Sequence, residues 1–529
     1  MIVGTLPLFV ILPFKDWIEG LSSNLYVVGG ALLVTGCLLF ASDRVRKGRK
    51  NERSARLILL LALRDIAPGA KARFEHSIGL GLYLNVSGVS LTASLVRKIE
   101  ARMREISKAD LPIVKSRWTR EQAVAYFRAQ GQEDTVRLLA YRPFDYFDVY
   151  TCDGLSEYFY GDMVESTGEI QSFALRFYYP GMVLLLPAEA LDGAPAPFVE
   201  RPKLMRAYVE ANVCSRILQC ENAADLNDII AKGDARTFIR VSEAMQERAV
   251  AQIAERIVAN GARVVFIAGP SSSGKTTFAN RLSVQLRVSG KRPLAISLDN
   301  YYKNREMIPL GADGKPDLEC LESIDVALFN DQLVELLAGR EVELPLYSFK
   351  TKRRLERGVR LRAQEDQVIV VEGIHGLNDA LSEEIPSELK YRIYVSALTQ
   401  LNLDGHNRIR TTDVRLLRRM VRDARTRHTD VTATMAMWDS VRAGEEKYIF
   451  PYQEKADVMF NSSLLYEIAV LKKYAYPMLK SIPKDSPYYT RSRRLVKFLH
   501  YFKDCSEESE IPPTSILREF IGGCTFYDE

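Results

Sequence analysis

The sequence predicts an α/β protein whose second half contains a parallel sheet, and two observations lead to this prediction. The first is a phosphate-binding loop, Gly269–Thr276, between a short apolar run at 263–268 and a helical pattern at 277–288. The second is the alternation that follows it, because apolar runs suited to buried strands recur between helical patterns, at 293–298, 367–371, 391–397 and 456–460. Such alternation is typical of a parallel sheet with helices on both faces.

The loop carries groups suited to a polyphosphate. Two glycines, Gly269 and Gly274, allow tight turns and close approach of the backbone, and the helix that follows presents an N-terminus that favours negative charge. Lys275 supplies a point charge, and the hydroxyl of Thr276 can ligate Mg²⁺. We therefore expect ATP and Mg²⁺ at this loop, with the nucleotide held by Gly269, Pro270, Ser271, Ser272, Ser273, Gly274, Lys275, Thr276 and Thr277.

Length and composition limit the class of protein. A chain of 529 residues is too long for one core and predicts about three domains, and 47% hydrophobic with 26% charged residues is ordinary for globular proteins. The net charge of +5 does not by itself indicate nucleic-acid binding. Seven cysteines and five histidines show neither disulfide nor metal-ligand spacing. We expect a cytoplasmic protein, and a homo-oligomer.

The N-terminal stretch allows two interpretations. Residues 25–41 are almost uncharged and are followed by a basic run at 44–50, which is the pattern of a membrane anchor. This stretch is shorter than the ~20 residues of a spanning helix and contains three glycines. Buried strands of a small domain are therefore the preferred interpretation.

The first half reads as mixed helices and strands. Helical patterns occur at 54–65, 91–106, 123–130 and 206–256, and strand patterns at 145–164 and 181–187. Thr119, followed by Glu121 and Gln122, is typical of a helix start, and the Gly/Pro/Ala-rich stretch 191–197 is typical of a boundary. We therefore divide the chain into regions 1–53, 54–200, 201–258, 259–470 and 471–529.

Two carboxylates follow neighbouring strands of the predicted sheet. Ligands of open parallel sheets collect beyond the carboxyl ends of the strands, where this sequence places Asp299 and Glu372. One carboxylate can accept the proton of an attacking hydroxyl while the other holds the metal. We assign Asp299 as the base and Glu372 as the metal ligand. The alternative is that both simply end strands at a solvated edge.

Basic residues cluster at two further places. A helix over 413–427 would place Arg415, Arg418, Arg419 and Arg422 largely along one side, which suits a lid that closes over phosphates. An ordinary solvated basic face is the alternative. The run 350–354, Lys-Thr-Lys-Arg-Arg, could line an acceptor site or form an exposed hairpin.

These motifs resemble the uridine kinase and phosphoribulokinase family. The resemblance covers about 263–470 and rests on the phosphate loop together with 297–302, 371–374 and 412–419. The family transfers the γ-phosphoryl group of a nucleoside triphosphate to a primary hydroxyl. The resemblance implies Asp299 as base, Thr276 and Glu372 near Mg²⁺, Tyr302 and Arg415 near the acceptor, and Arg418 and Arg422 in the lid. We assign Asp299, Lys275, Arg418 and Arg422 as the catalytic residues.

The chain departs from that family where the base and the sugar are recognised. The family's base-reading tyrosine and histidine correspond here to Tyr347 and Lys352, and its aspartate for the sugar hydroxyls corresponds to Glu322. Neither change harms phosphoryl transfer, but both bear on pyrimidine recognition. An ammonium in place of an imidazole could instead favour an anionic acceptor.

The front half, about 54–186, resembles the accessory editing domain of threonyl-tRNA synthetases, and the residues before it resemble a degraded form of the small ubiquitin-like domain found there. That family has a His-x-x-x-His pair before the first helix and a later cysteine paired with a histidine. The matching stretch 52–57 lacks both histidines, and Cys152 lacks its histidine partner. Editing hydrolysis is therefore not expected.

The sequence as a whole predicts an ATP-dependent kinase for the primary hydroxyl of a nucleoside resembling uridine or cytidine. Two alternatives stay open: a kinase for another polyol or sugar phosphate, and an RNA-binding regulatory NTPase whose front half binds tRNA-like structures. The expected partners are a nucleoside triphosphate and a small-molecule acceptor. RNA, and a membrane contacted through 25–41, are the less favoured partners.

Overall fold

The structure is a computed structural model, in which the described residues are 51–187, 193–311, 314, 316–348 and 351–526. The stretch 25–41, for which a membrane anchor and buried strands were both considered, lies outside these residues. Within them, no helix combines the length and the apolar character that crossing a membrane requires.

The front half is an α+β region with antiparallel sheets. Its strands are β1 (Lys71–Ile78), β2 (Gly81–Ser87), β3 (Val114–Thr119), β4 (Tyr146–Cys152), β5 (Leu155–Glu157), β6 (Ala174–Tyr178) and β7 (Gly181–Leu185). They form a four-stranded sheet in the order β1-β2-β7-β6 and a three-stranded sheet in the order β3-β4-β5. The helices of this region are α1 (51–66), α2 (Ala93–Lys108), α3 (Arg120–Ala129) and α4 (Glu133–Tyr141).

Three helices connect this region to the phosphate loop: α5 (Pro202–Ile217), α6 (Ala223–Ala231) and α7 (Ala235–Ala259). Helix α7 runs for 25 residues and leads directly into the strand before the loop. Its buried residues recur at helical spacing, so one face packs against the core while the other carries charged residues.

The second half is built on a five-stranded parallel sheet. Its strands are β8 (Val264–Ala268), β9 (Arg292–Ser297), β14 (Gln367–Glu372), β15 (Lys390–Ser396) and β16 (Val458–Asn461), in the order β16-β15-β8-β14-β9. Two antiparallel pairs lie outside this sheet: β10 (Glu341–Leu344) pairs with β13 (Val359–Arg362), and between them β11 (Tyr347–Ser348) and β12 (Arg353–Arg354) form a hairpin. The helices are α8 (Lys275–Val288), α9 (Val326–Leu337), α10 (Thr411–Thr426), α11 (Val431–Tyr448), α12 (Glu467–Lys480), α13 (Tyr489–Leu499) and α14 (Arg518–Ile521).

Most predicted elements are confirmed. The predicted strands of the second half match β8, β9, β14, β15 and β16 to within two residues at each end. Thr119 caps α3 through a capping box with Gln122, whose side chain accepts from the Thr119 N–H at 2.9 Å. The prediction of paired strands over 145–164 is confirmed only as far as Glu157, because the buried rings that follow pack in irregular backbone.

The largest group of buried apolar residues crosses the predicted domain boundaries. It joins Phe127 and Phe147 of the front half to Ile253 of α7, to Val265 of the parallel sheet, and to Leu499 near the C-terminus. A second group, which includes Leu59 and Phe74, belongs to the front half alone. The predicted boundaries stay a prediction, but the packing makes the two halves share one core.

A loop of the second half, residues 401–410, is held by the front half, and we name it the docking loop. The Asn402 side chain donates to Phe74 O at 2.7 Å, and the Asn407 side chain donates to Tyr158 O at 2.8 Å. Arg56 donates to His406 O at 2.9 Å. The docking loop ends where α10 begins, so the front half fixes the start of that helix.

Candidate phosphoryl-transfer site

The phosphate loop has the backbone geometry of an anion cradle. Gly274 is left-handed, with φ of 83°, and Ser272 also has a positive φ of 58°. At Gly269 a Cβ atom would lie 1.9 Å from the carbonyl oxygen of Val395, so only glycine fits there. Successive N–H groups in such a turn point into one concavity, which can bind an anion.

The loop also holds polar groups that suit a polyphosphate. The hydroxyls of Ser272 and Ser273 are buried and find no hydrogen-bond partner within the described parts of the chain. The Lys275 ammonium donates to Pro270 O at 3.3 Å, and the Thr276 side chain is exposed at the first turn of α8. Buried donors without partners are costly, so these groups fit a bound polyphosphate.

The structure brings Asp299 and Glu372 together beside Lys275. Strands β9 and β14 are neighbours, with Ser297 opposite Glu372, and the Ser297 hydroxyl donates to the Glu372 carboxylate at 3.0 Å. Burial raises the pKa of Asp299, which the charge of Lys275 partly offsets. Burial and the charge of Asp299 raise the pKa of Glu372 to about 7. Burial lowers the pKa of Lys275, and both carboxylates oppose that shift.

The residues Arg415 and Arg418 of α10 lie behind the phosphate loop, each no more than 1% exposed. The Arg415 guanidinium pairs with Glu445 and donates to Ser271 O at 2.9 Å, while Glu445 accepts from the Ser271 N–H at 3.0 Å. Arg418 pairs with Glu467 at 2.5 Å. In this structure both side chains therefore help to hold the phosphate loop in place.

The outer arginines of α10 face the site. Arg419 donates to the Ser271 hydroxyl at 2.7 Å, and Arg422 pairs with Asp423 at 2.9 Å. Arg422 and Arg427 lie close enough to Asp299 for their charges to lower its pKa. The lid assignment of Arg418 and Arg422 stays a prediction, and Arg422 is the one of the two placed toward Asp299.

The predicted acceptor residues Tyr302 and Tyr347 lie together, with ring centroids 5.6 Å apart. The Tyr302 hydroxyl donates to Leu318 O at 2.9 Å. The basic run forms the turn and second strand of the hairpin β11-β12, and Lys352 sits exposed in the turn with φ of 58°. An exposed hairpin was one of the two interpretations of the run 350–354. Residue 350 itself lies outside the described residues.

Sequence reasoning chose Glu322 for the sugar hydroxyls and did not single out Glu319. Glu322 is exposed, whereas Glu319 is half-buried and close enough to Lys275 and Arg419 for their charges to act on it. Burial and the charge of Glu445 raise the pKa of Glu319 to about 7. Three acidic residues crowd the stretch 317–322, and an irregular backbone gives no periodicity that could have identified the inward one.

Glu519 is a further residue that sequence reasoning missed. Its carboxylate accepts hydrogen bonds from the Thr277 hydroxyl at 2.8 Å and from the Thr277 N–H at 3.4 Å. It therefore reaches the first turn of α8, next to the phosphate loop, from the C-terminal stretch, to which the sequence assigned no chemistry. No local signal connects two residues 242 positions apart.

The part of the chain that contains this site is similar to known proteins. A sequence model of the Phosphoribulokinase / Uridine kinase family matches residues 264–468. A uridine kinase of Erwinia tasmaniensis is 30% identical over 199 residues, which cover 37% of this chain and 85% of that protein. A uridine kinase of Bacillus pumilus is 29% identical over 197 residues, 37% of this chain and 84% of that protein.

Among solved structures, the D-glycerate 3-kinase of Cryptococcus neoformans is similar with a TM-score of 0.28 and 15% identity. That similarity covers 37% of this chain and 87% of the glycerate kinase chain.

Proposed function

Because the chain belongs, over residues 264–468, to the Phosphoribulokinase / Uridine kinase family, we propose that it transfers the γ-phosphoryl group of ATP to the primary hydroxyl of a nucleoside of the uridine or cytidine type. The observation that carries the proposal is the grouping of Asp299, Glu372 and Lys275 at the mouth of the phosphate loop. A base, a metal ligand and a phosphate-binding cation are what transfer to a hydroxyl requires.

In the proposed reaction the loop residues 269–277 hold the triphosphate through their N–H groups and hydroxyls. Asp299 accepts the proton of the attacking hydroxyl, and burial, which raises its pKa, makes it a stronger base. Lys275 and Arg422 stabilise the charge on the transferred group. Arg418 acts as a positioning residue, because its ion pair with Glu467 supports the loop from behind.

Mg²⁺ is the metal that this site suits. Asp299 and Glu372 bring two carboxylates to one lysine, and oxygen ligands with excess negative charge are what Mg²⁺ prefers. The exposed Thr276 hydroxyl and the Glu372 carboxylate would hold it. When bound, Mg²⁺ supplies charge neutralisation on the phosphate oxygens.

On the acceptor side, Tyr302 and Tyr347 offer two aromatic faces for a base or sugar. Glu319 is the better candidate than Glu322 to accept hydrogen bonds from sugar hydroxyls, because Glu322 is exposed. Arg415, expected near the acceptor, supports the phosphate loop in this proposal, through its hydrogen bond to Ser271 O and its ion pair with Glu445.

A second candidate acceptor is a sugar phosphate, and the hairpin β11-β12 favours it. Lys352 and Arg353 are both exposed on this hairpin, whose first strand carries Tyr347, and Arg353 pairs with Glu306 at 3.2 Å. An ammonium and a guanidinium near the acceptor site would attract an anionic substrate.

The front half contributes no hydrolysis in this proposal. Burial raises the pKa of the Cys152 thiol to about 11, so it is protonated and weakly nucleophilic near neutral pH. In this proposal the front half resembles the threonyl-tRNA synthetase accessory domain in architecture and not in activity. The free thiols of the six cysteines in the described chain support a reducing, cytoplasmic location.

The test is ATP consumption by the purified protein with Mg²⁺ against nucleosides, polyols and sugar phosphates, with a control that lacks acceptor. We expect uridine or cytidine to stimulate ATP turnover and to yield the 5′-phosphate. Stimulation by a sugar phosphate alone would replace the nucleoside with the second candidate. Turnover that is independent of every acceptor would contradict both and favour the regulatory NTPase.

A further inference from the structure

The C-terminal segment, which we define as Ser515–Gly522, packs directly on the phosphate loop. Ile516 is fully buried, and its Cγ2 lies 2.4 Å from where a Cβ on Gly274 would be. Three residues further on, the Glu519 carboxylate reaches Thr277, the third residue of helix α8. The segment therefore covers the start of the helix on which phosphates are expected.

The backbone N–H and the hydroxyl of Thr277 are hydrogen-bond donors that a bound nucleotide would use. The first N–H groups of a helix have no intrahelical partner, and in a phosphate loop they bind the α- and β-phosphates. Here Glu519 takes both the N–H of Thr277, at 3.4 Å, and its hydroxyl, at 2.8 Å. A carboxylate and a phosphate oxygen are both anionic acceptors, so they cannot share these donors without strong repulsion.

The backbone of the segment is anchored independently of the Glu519 carboxylate. Arg425 of α10 donates to Glu519 O at 3.1 Å and to Phe520 O at 3.4 Å. The Ser515 hydroxyl donates to Glu243 at 2.6 Å, and the Arg418 guanidinium lies 5.0 Å from the centre of the Phe520 ring. Rotation of the Glu519 side chain can thus break its two hydrogen bonds with Thr277 while the segment stays in place.

Building on the nucleotide binding proposed above, we propose that Glu519 is an internal competitor for the α-phosphate position of the phosphate loop, which ATP must displace in order to bind. The carboxylate raises the concentration of ATP needed to occupy the loop, because only the fraction of molecules in which it has left Thr277 can bind the nucleotide.

The test is Glu519→Gln in the full chain, with the Kd of Mg·ATP measured by calorimetry. The amide keeps the shape but loses the charge, and since a charged hydrogen bond is worth more than a neutral one, we expect the Kd to fall about fivefold to tenfold. The matched control is Glu510→Gln, because Glu510 pairs with Arg240 at 2.7 Å and Arg236 at 3.1 Å on the surface. Its Kd should equal that of the wild type.

Arg425→Gln is the second variant, which loosens the segment without touching Glu519's carboxylate, and it should also lower the Kd. Circular dichroism verifies that each variant is folded. An unchanged or higher Kd in both variants overturns the proposal, and weaker binding of Mg²⁺ in Glu519→Gln would make Glu519 a metal ligand instead. If neither the wild type nor any variant binds ATP, the proposed kinase function fails, and the competitor proposal falls with it.

Discussion

At the scale of single residues, the site is defined by an imbalance of charge. Lys275 acts on both Asp299 and Glu372, whereas Arg422 and Arg427 act on Asp299, so Glu372 shares its one cation with a second carboxylate. Burial disfavours each of these charges, and together with the charge of Asp299 it raises the pKa of Glu372 to about 7. The ionised form of Glu372 therefore carries an electrostatic cost. A divalent cation would relieve it, which is why the arrangement favours metal-assisted phosphoryl transfer.

Replacement of the proposed base gives the sharpest prediction at this scale. Asp299→Asn keeps the size of the side chain but cannot accept a proton, so kcat should fall about 10²–10⁴-fold while the KM for ATP changes little. The measurement is acceptor-dependent ATP turnover by a coupled assay. Asp331→Asn, a change at an exposed position of α9, is the control and should turn over at the wild-type rate. A near wild-type rate for Asp299→Asn would remove the base assignment.

The sequence was sufficient to predict the positions of residues that depend on their neighbours along the chain. The phosphate loop, Asp299 and Glu372 follow strands with clear apolar patterns, so their positions at one sheet edge could be predicted. The choice between Glu319 and Glu322 could not, because both lie in irregular backbone where no repeat fixes which side chain turns inward. That choice depends on packing against Gly444, more than a hundred residues later.

At the scale of elements, the arginine helix α10 is a support for the phosphate loop as well as a candidate lid. Arg415 and Arg418 end in buried ion pairs with Glu445 and Glu467. The helical spacing of the arginines was predictable, but their partners were not, since Glu467 lies 49 residues beyond Arg418. The pattern identified the helix, and tertiary packing decided which of its arginines are buried.

Arg418→Met should destabilise the protein through the partner it leaves behind. Glu467 is 1% exposed, and an unpaired buried carboxylate costs roughly 3–5 kcal/mol. We expect a lower midpoint of thermal unfolding by circular dichroism, and recovery of most of it in Arg418→Met/Glu467→Leu, which removes both charges. If the single variant keeps the wild-type midpoint and loses only turnover, Arg418 acts as a mobile lid residue and the support role is wrong.

At the scale of the whole molecule, the front half is joined to the second half through the docking loop. His406 of this loop pairs with Glu157 of β5 at 2.9 Å, and Arg410 pairs with Glu52 of α1 at 2.5 Å. Because α10 begins at Thr411, these pairs connect the front half to the helix that supports the phosphate loop. The sequence showed two regions with separate resemblances, but not that they would be packed together.

The His406 pair predicts how stability depends on pH. Burial alone lowers the pKa of His406, but Glu157, Asp404 and Asp134 more than reverse this and raise it from 6.5 to about 9. A pKa raised on folding gives stability that is complete below about pH 6.5 and is lost as the pH rises through about 9, which amounts to roughly 3 kcal/mol.

Thermal unfolding of the wild type and of His406→Gln between pH 6 and pH 10 measures this contribution. The midpoint of the wild type should exceed that of the variant at pH 6, and the difference should shrink by pH 10. A difference that stays constant over this range would mean that His406 is not charged in the folded protein.

The docking loop has a consequence for synthesis on the ribosome. Arg56 donates a hydrogen bond to His406 O, 350 residues later, and Tyr158 of the front half bonds to Tyr501, 343 residues later. At ~5–20 residues per second, the front half is exposed for roughly 20 to 70 seconds before the chain that completes its core emerges. The nascent front half therefore exposes the surface that packs on residues near Tyr501 until that part of the chain has been made.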